Sequence, residues 1–290
     1  MQTSPEHAIK HYLRCGEYDP NFGAWPGGDY LSRSQQAGSA LRNALRLAIH
    51  RRTPHVNATG DQAGLDVVTH TRERITPMVL GLFSRSERQP VLDALSRSVV
   101  LLSSATIDGV IDQTPRLRTA WNLGNLFLAG VKAELLGEEA PHLVGLSEGT
   151  NCYLSSQYFS HSGRFDDFLV HEVAHIFHNC KRHTIGLRAT RQQEWLLEID
   201  FTKRETFAYS CEVYGRIHQM SDGPNARRML LKEYATGSMP ADMRLDPAEH
   251  LDILDEAVTA RNGWKRILAR CAPIQHRHRS DLTIAGGLND

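Results

Sequence analysis

Apolar positions divide the chain into helical stretches around one short β-rich segment. Across 29–52, Leu31, Ala37, Leu41, Leu45, Leu47 and Ile49 recur at roughly helical spacing and end in Arg51-Arg52, which predicts a helix. Two more helices are predicted at about 65–84 and 86–97. The pattern changes at 98–102, SVVLL, which is short, apolar and β-branched, as expected of a buried strand. A strongly apolar helix is predicted over 117–136 and stopped by Gly137, with Gly124 and Gly130 marking close packing. Two extended runs within 142–159, turning at Ser147-Glu148-Gly149, read as a hairpin whose second run is 151–159. The turn Ser160-His161-Ser162-Gly163 leads into 165–179, where Phe165, Phe168, Leu169, Ile176 and Phe177 form an apolar stripe at helical spacing. Asp166 and Asp167 in its first turn suit the positive end of the helix dipole. Amphipathic helices follow at 191–199 and 202–219, then a mostly helical tail that includes 247–269. Residues 1–28 are broken by Pro5, Pro20, Pro26 and Gly27-Gly28, 53–64 is a polar loop, and the last twenty residues are basic and then Gly-rich. The order predicts an α+β fold, a small sheet plus the 165–179 helix embedded in a mostly helical chain. Composition divides it into a helical region 1–97, a core 98–220 and a helical region 221–290.

The candidate chemistry lies in 165–179, which contains His171-Glu172-Val173-Ala174-His175, an HExxH motif. Four residues is close to one helical turn, so both imidazoles project from one face. Two neutral imidazoles so spaced can take two corners of a tetrahedral Zn²⁺. Glu172, next to the first His, can reach a metal-bound water without being a ligand itself. A catalytic site of this kind wants a third protein ligand. The metzincin pattern would need Gly at 178 and His at 181, but the chain has His178 and Lys181. Glu194, Glu198, Glu205 and Glu212 remain as downstream candidates. Glu205 also follows Thr202 at the spacing of a helix capping box, which is its alternative use.

The segment Glu205-Thr206-Phe207-Ala208-Tyr209-Ser210-Cys211-Glu212 resembles the ExFAxxxE form of the ligand helix in gluzincins, the HExxH-plus-glutamate metallopeptidases that include the thermolysin and aminopeptidase N groups. The resemblance covers about 165–220 and implies a zincin-like core with Glu205 as third ligand and a small Ala208 admitting close helix approach. The gap from His175 to Glu205 is longer than in those groups. Glu194 sits at the aminopeptidase spacing but lacks a small residue one turn on, being followed by Trp195-Leu196-Leu197. The expected activity is that of a zinc-dependent metallopeptidase acting on a protein or peptide, with zinc-bound water as nucleophile and Glu172 as general base. Tyr209 is the candidate second donor to the oxyanion, with Tyr214 or His218 behind it, and His178 is read as an outer or solvated group. Strand 151–159 is a candidate edge for pairing with an extended peptide. The alternative is an intracellular HExxH regulatory protein acting by partner binding rather than turnover. An intact Glu172 favours the peptidase, because a purely structural site has no use for a base.

Composition narrows the setting. At 290 residues with 41% hydrophobic and 23% charged content the chain is ordinary for a globular protein. Lys+Arg and Asp+Glu are both 33, so no net charge draws it to nucleic acid or an anionic membrane. No apolar run approaches the length of a membrane span. The N-terminus lacks a basic region followed by an apolar block, so no Sec-type signal is expected. Cys15, Cys152, Cys180, Cys211 and Cys271 are odd in number and form no CxxC pair, which reads as reduced thiols. A cytoplasmic location is expected, although a dedicated secretion machine would need no cleavable signal. Nothing in the pattern sets an oligomeric state.

Overall fold

The computed structural model describes residues 4–55, 66–137, 140, 145–159, 163–237 and 239–273. Most of the 53–64 loop, the start of the hairpin, most of the 160–163 turn and nearly all of the last twenty residues lie outside the described residues. In chain order the first elements are α1 (Pro5–Cys15), α2 (Tyr30–Arg52), α3 (Val67–Leu82), α4 (Arg88–Ser96), β1 (Val99–Leu101), α5 (Ile107–Gln113) and α6 (Leu117–Gly130). There follow β2 (Gly145–Glu148), β3 (Asn151–Leu154), α7 (Phe168–Asn179), α8 (Arg204–Gln219), α9 (Pro224–Ala235), α10 (Pro247–Thr259) and α11 (Gly263–Cys271). The described chain is therefore mostly helical with one small sheet, an α+β protein. Among the described residues no helix is long and apolar enough to cross a membrane.

Two compact units interleave along the sequence. One comprises Met1–Leu65, Val100–Leu146 and Tyr153–His161, the other Asp66–Val99, Ser147–Cys152 and Ser162–Asp290. These are drawn by contact, whereas the division into 1–97, 98–220 and 221–290 followed composition in consecutive blocks. In the first unit α2, α5 and α6 pack together. Gly124 on α6 leaves room for α2, since a Cβ there would stand 3.0 Å from the Ile49 side chain. The helix predicted over 117–136 ends earlier, at Gly130. Lys132 turns left-handed (φ 57°) and the Ala133 N–H donates back to the Leu128 carbonyl at 2.9 Å, closing the helix in the Schellman manner. Helix α1, not foreseen in the proline-broken leader, is capped by Ser4, which accepts from the His7 N–H, with Pro5 in its first turn.

The sheet order is β1-β3-β2, with Gly149 (φ 61°) in the hairpin turn between β2 and β3. Strand β3 is thus central, and the expectation that 151–159 offers an edge to a substrate is corrected. The Cys152 N–H donates to the Ser98 carbonyl and the Leu154 carbonyl accepts from the Leu102 N–H, both at 2.8 Å, while β2 flanks the other side. The strand also stops at Leu154, and a 3-10 turn follows over Ser156–Phe159.

In the second unit α7 packs on α8 and α3, and α8 on α10 and α11. A Cβ on Gly81 of α3 would overlap the Trp264 ring of α11, so that helix pair needs a glycine at its crossing. The predicted helix at 191–199 does not form. Its Leu196 and Leu197 N–H groups instead donate to the Cys180 and Phe177 carbonyls at 2.9 Å, satisfying the end of α7. Two helices, α10 and α11, stand in place of the single stretch 247–269, because Asn262 accepts from the Lys265 N–H and starts a new one.

Candidate metal centre

Helix α7 begins three residues later than its apolar stripe predicts. Asp167 is the N-cap, accepting from the Val170 N–H, and Asp166 accepts from the Gly163 N–H ahead of the helix. Asp167 is buried and its second oxygen is held by Arg74 of α3, whose Nη1 also reaches Gln219 of α8 at 2.8 Å. Leu169, Val170, Val173, Ala174, Ile176 and Phe177 are all buried, so α7 is wrapped by neighbours and its histidines face an interior. Opposite it, α8 presents the fully buried Phe207 and Ala208, and Phe207 meets Phe177 edge-on at 6.3 Å.

This packing brings His171, His175 and Glu205 together. The two Nε2 atoms stand 3.2 Å apart, and Glu205 Oε2 lies 3.7 Å from that of His171 and 3.5 Å from that of His175. Ligand atoms at normal zinc distances on a tetrahedral ion lie roughly 3.3–3.6 Å from one another. The three donors therefore already form a triangle of the size such an ion needs. Among the described residues this is the one group of His, Cys, Asp or Glu so gathered. Glu205 does not close a capping box: the Thr202 N–H and hydroxyl both donate to Asp200, and α8 starts without a side-chain cap. Its Oε2 faces the imidazoles, while its Oε1 pairs with Arg244. Glu194 is half exposed and pairs with Lys181 at 2.6 Å, while Glu198 accepts from the Glu194 and Trp195 N–H groups.

Glu212, two turns beyond Glu205, fixes the first imidazole. Its Oε2 lies 3.1 Å from His171 Nδ1, and its Oε1 accepts from the Asp167 N–H at 2.7 Å. A proton held on Nδ1 by this carboxylate leaves the Nε2 lone pair for a metal. Burial alone would lower the His171 pKa, but the carboxylates of Glu205 and Glu212 outweigh it and raise it to about 10. Burial pushes the Glu205 carboxyl up, yet hydrogen bonding to both histidines holds it well below its usual range. Burial raises the Glu212 carboxyl against the pull of His171.

The surrounding groups differ in fate. Glu172 is partly exposed and sits near Cys152 of β3, where its charge adds to burial in raising that thiol's pKa. The Tyr209 ring packs edge-on against His171 at 4.4 Å, and burial raises its phenol pKa, with Asp242 adding to the effect. Tyr214 is occupied elsewhere, against Trp264 and as acceptor from Arg227, and His218 is exposed. His178 is buried rather than solvated: its ring meets His175 edge-on at 5.4 Å, and burial lowers its pKa to about 3. Sequence reasoning took Glu212 only as a candidate third ligand and not as a partner of His171, although its spacing of seven from Glu205 puts it on the same helix face. It missed Asp242 and Arg244 altogether. Arg244 Nη1 stands 2.6 Å from Glu205 Oε1, and no spacing rule signals a residue so far downstream.

A scan against protein-family models found no matching family, and comparisons with curated proteins and with solved structures found no match. The functional reading therefore rests on the residues themselves.

Proposed function

We propose that this protein is a zinc-dependent metallopeptidase with a zincin-like core, hydrolysing peptide bonds of a protein or peptide substrate. The observation that carries the reading is the triangle of His171, His175 and Glu205, sized for one tetrahedral ion and backed by Glu212 on the first imidazole. A zinc ion held there would polarise a substrate carbonyl and lower the pKa of a coordinated water to roughly 7. Glu172 follows a ligand directly without joining the triangle, which leaves its carboxylate to take the proton of the attacking water and pass it to the leaving amine. Glu212 keeps His171 in the tautomer that offers Nε2. Tyr209, whose ring packs edge-on against His171, is the candidate hydroxyl to donate to the carbonyl oxygen as negative charge develops.

The test compares metal content and hydrolysis of casein or a peptide library. His171→Ala and His175→Ala are expected to lose zinc. Glu172→Gln is expected to keep it and lose turnover by two orders of magnitude or more. Equal metal loss in all three variants would refute the division between ligands and base. Zinc retained with no hydrolysis by wild type would point instead to a protein acting through partner binding.

A further inference from the structure

Arg244 has no part in the metallopeptidase reading, yet it stands against the third ligand. Asp242 grips its side edge, accepting from Nε at 3.0 Å and from Nη2 at 2.7 Å. Nη1 lies 2.6 Å from Oε1 of Glu205, the carboxylate oxygen turned away from the imidazoles. The guanidinium is thus oriented by two carboxylates within one residue's reach of the metal position. Its side chain is nevertheless 69% exposed, whereas those of Glu205 and Asp242 are 15% and 16% exposed. A guanidinium has two edges that can receive a carboxylate bidentately. Asp242 uses the Nε–Nη2 edge and Glu205 lies against Nη1, so of the five guanidinium N–H donors one on each terminal nitrogen is left to this mostly exposed side chain beside the site.

Building on the metal reading above, we propose that Arg244 is a specificity-determining residue, selecting substrates with a carboxylate close to the scissile amide. Arg suits this better than Lys because its planar fork is already held by Asp242 and Glu205 and needs no reordering to accept a third carboxylate. Such a carboxylate is supplied by a peptide's C-terminus or by an acidic side chain next to the cleaved bond.

The test uses the cobalt-loaded full chain and reads binding from cobalt absorption rather than from turnover. Butyrohydroxamate and the monohydroxamate of succinate differ only in a methyl group against a carboxylate. The succinate probe is expected to bind about tenfold tighter, as a charge-assisted contact at a partly exposed site allows. Arg244→Gln is expected to bring the ratio of the two affinities to about one, and Arg244→Lys to restore only part of the preference, each ratio being taken within one variant so that any effect on the metal through Glu205 cancels. Malonyl hydroxamates of glycine and of aspartic acid α-amide then separate the sources: the one that loses tenfold in Arg244→Gln carries the recognised carboxylate. Equal affinity of wild type for the first two probes would overturn the proposal. So would a preference that survives Arg244→Gln, since the metal's own charge would then explain it. Absence of a cobalt spectrum that depends on His171 would overturn the metal reading, and this proposal with it.

Discussion

Glu212→Gln tests the centre at its least exposed point. The wild-type carboxylate accepts from two donors, His171 Nδ1 at 3.1 Å and the Asp167 N–H at 2.7 Å, in a setting where Glu212 is only 4% exposed. A glutamine has one acceptor oxygen, so it cannot serve both donors. If its oxygen stays on Asp167, its NH2 faces His171 and drives the imidazole proton to Nε2, against the metal. If its oxygen turns to His171, its NH2 opposes the Asp167 N–H and loosens the start of α7. Replacing a charged acceptor by a neutral one also weakens the contact by about 1–1.5 kcal/mol, or roughly tenfold. Zinc affinity is therefore expected to fall about ten- to a hundredfold, the usual range for such a supporting carboxylate. Glu212→Ala is less informative, because it orphans two buried donors at about 1–3 kcal/mol each and endangers the fold. Affinity is measured by competition with a chromogenic chelator, and apo-protein stability by thermal circular dichroism. Wild-type zinc affinity in Glu212→Gln would refute the orienting role.

Three further outcomes are expected. Glu205→Gln should fold like wild type, because no capping box is lost, yet bind zinc far more weakly, while Glu194→Gln should bind it normally; the reverse result, read by elemental analysis, would move the third ligand to Glu194. His250 is fully buried between Ser210 and Tyr234, each 3.0 Å away, and burial lowers its pKa to about 4. The unfolded chain then binds a proton that the folded chain refuses, so stability is full above the unfolded value of about 6.5 and falls by about 3 kcal/mol as pH drops to about 4. Denaturant melts of the metal-free protein should show this slope reduced in His250→Gln, and an unchanged slope would count against it. Finally, all five cysteines should titrate in denatured protein without prior reduction, and recovery of one or three would reveal disulfides.

What the sequence determined on its own was local. The four-residue spacing of His171 and His175 sets both imidazoles on one helix face whatever surrounds them, because helical geometry depends only on the chain nearby. Strong apolar periodicity likewise marked α2, α3 and α7, whose buried faces are long enough to outweigh weaker local preferences. Residues 191–199 show where this fails: RQQEWLLEI has an amphipathic pattern, but its backbone donors are claimed by the orphan carbonyls of α7, a tertiary demand with no trace in the local pattern. Glu205 was ambiguous for the same reason. A glutamate in a helix's first turn can cap that helix or face another, and only the docking of α8 on α7 decides. Glu212 lay on a legible face, but its partner, His171 Nδ1, comes from a different helix. Asp242 and Arg244 reach the site from the segment before α10, and contacts between residues so distant in sequence are set by how helices pack rather than by any spacing along the chain.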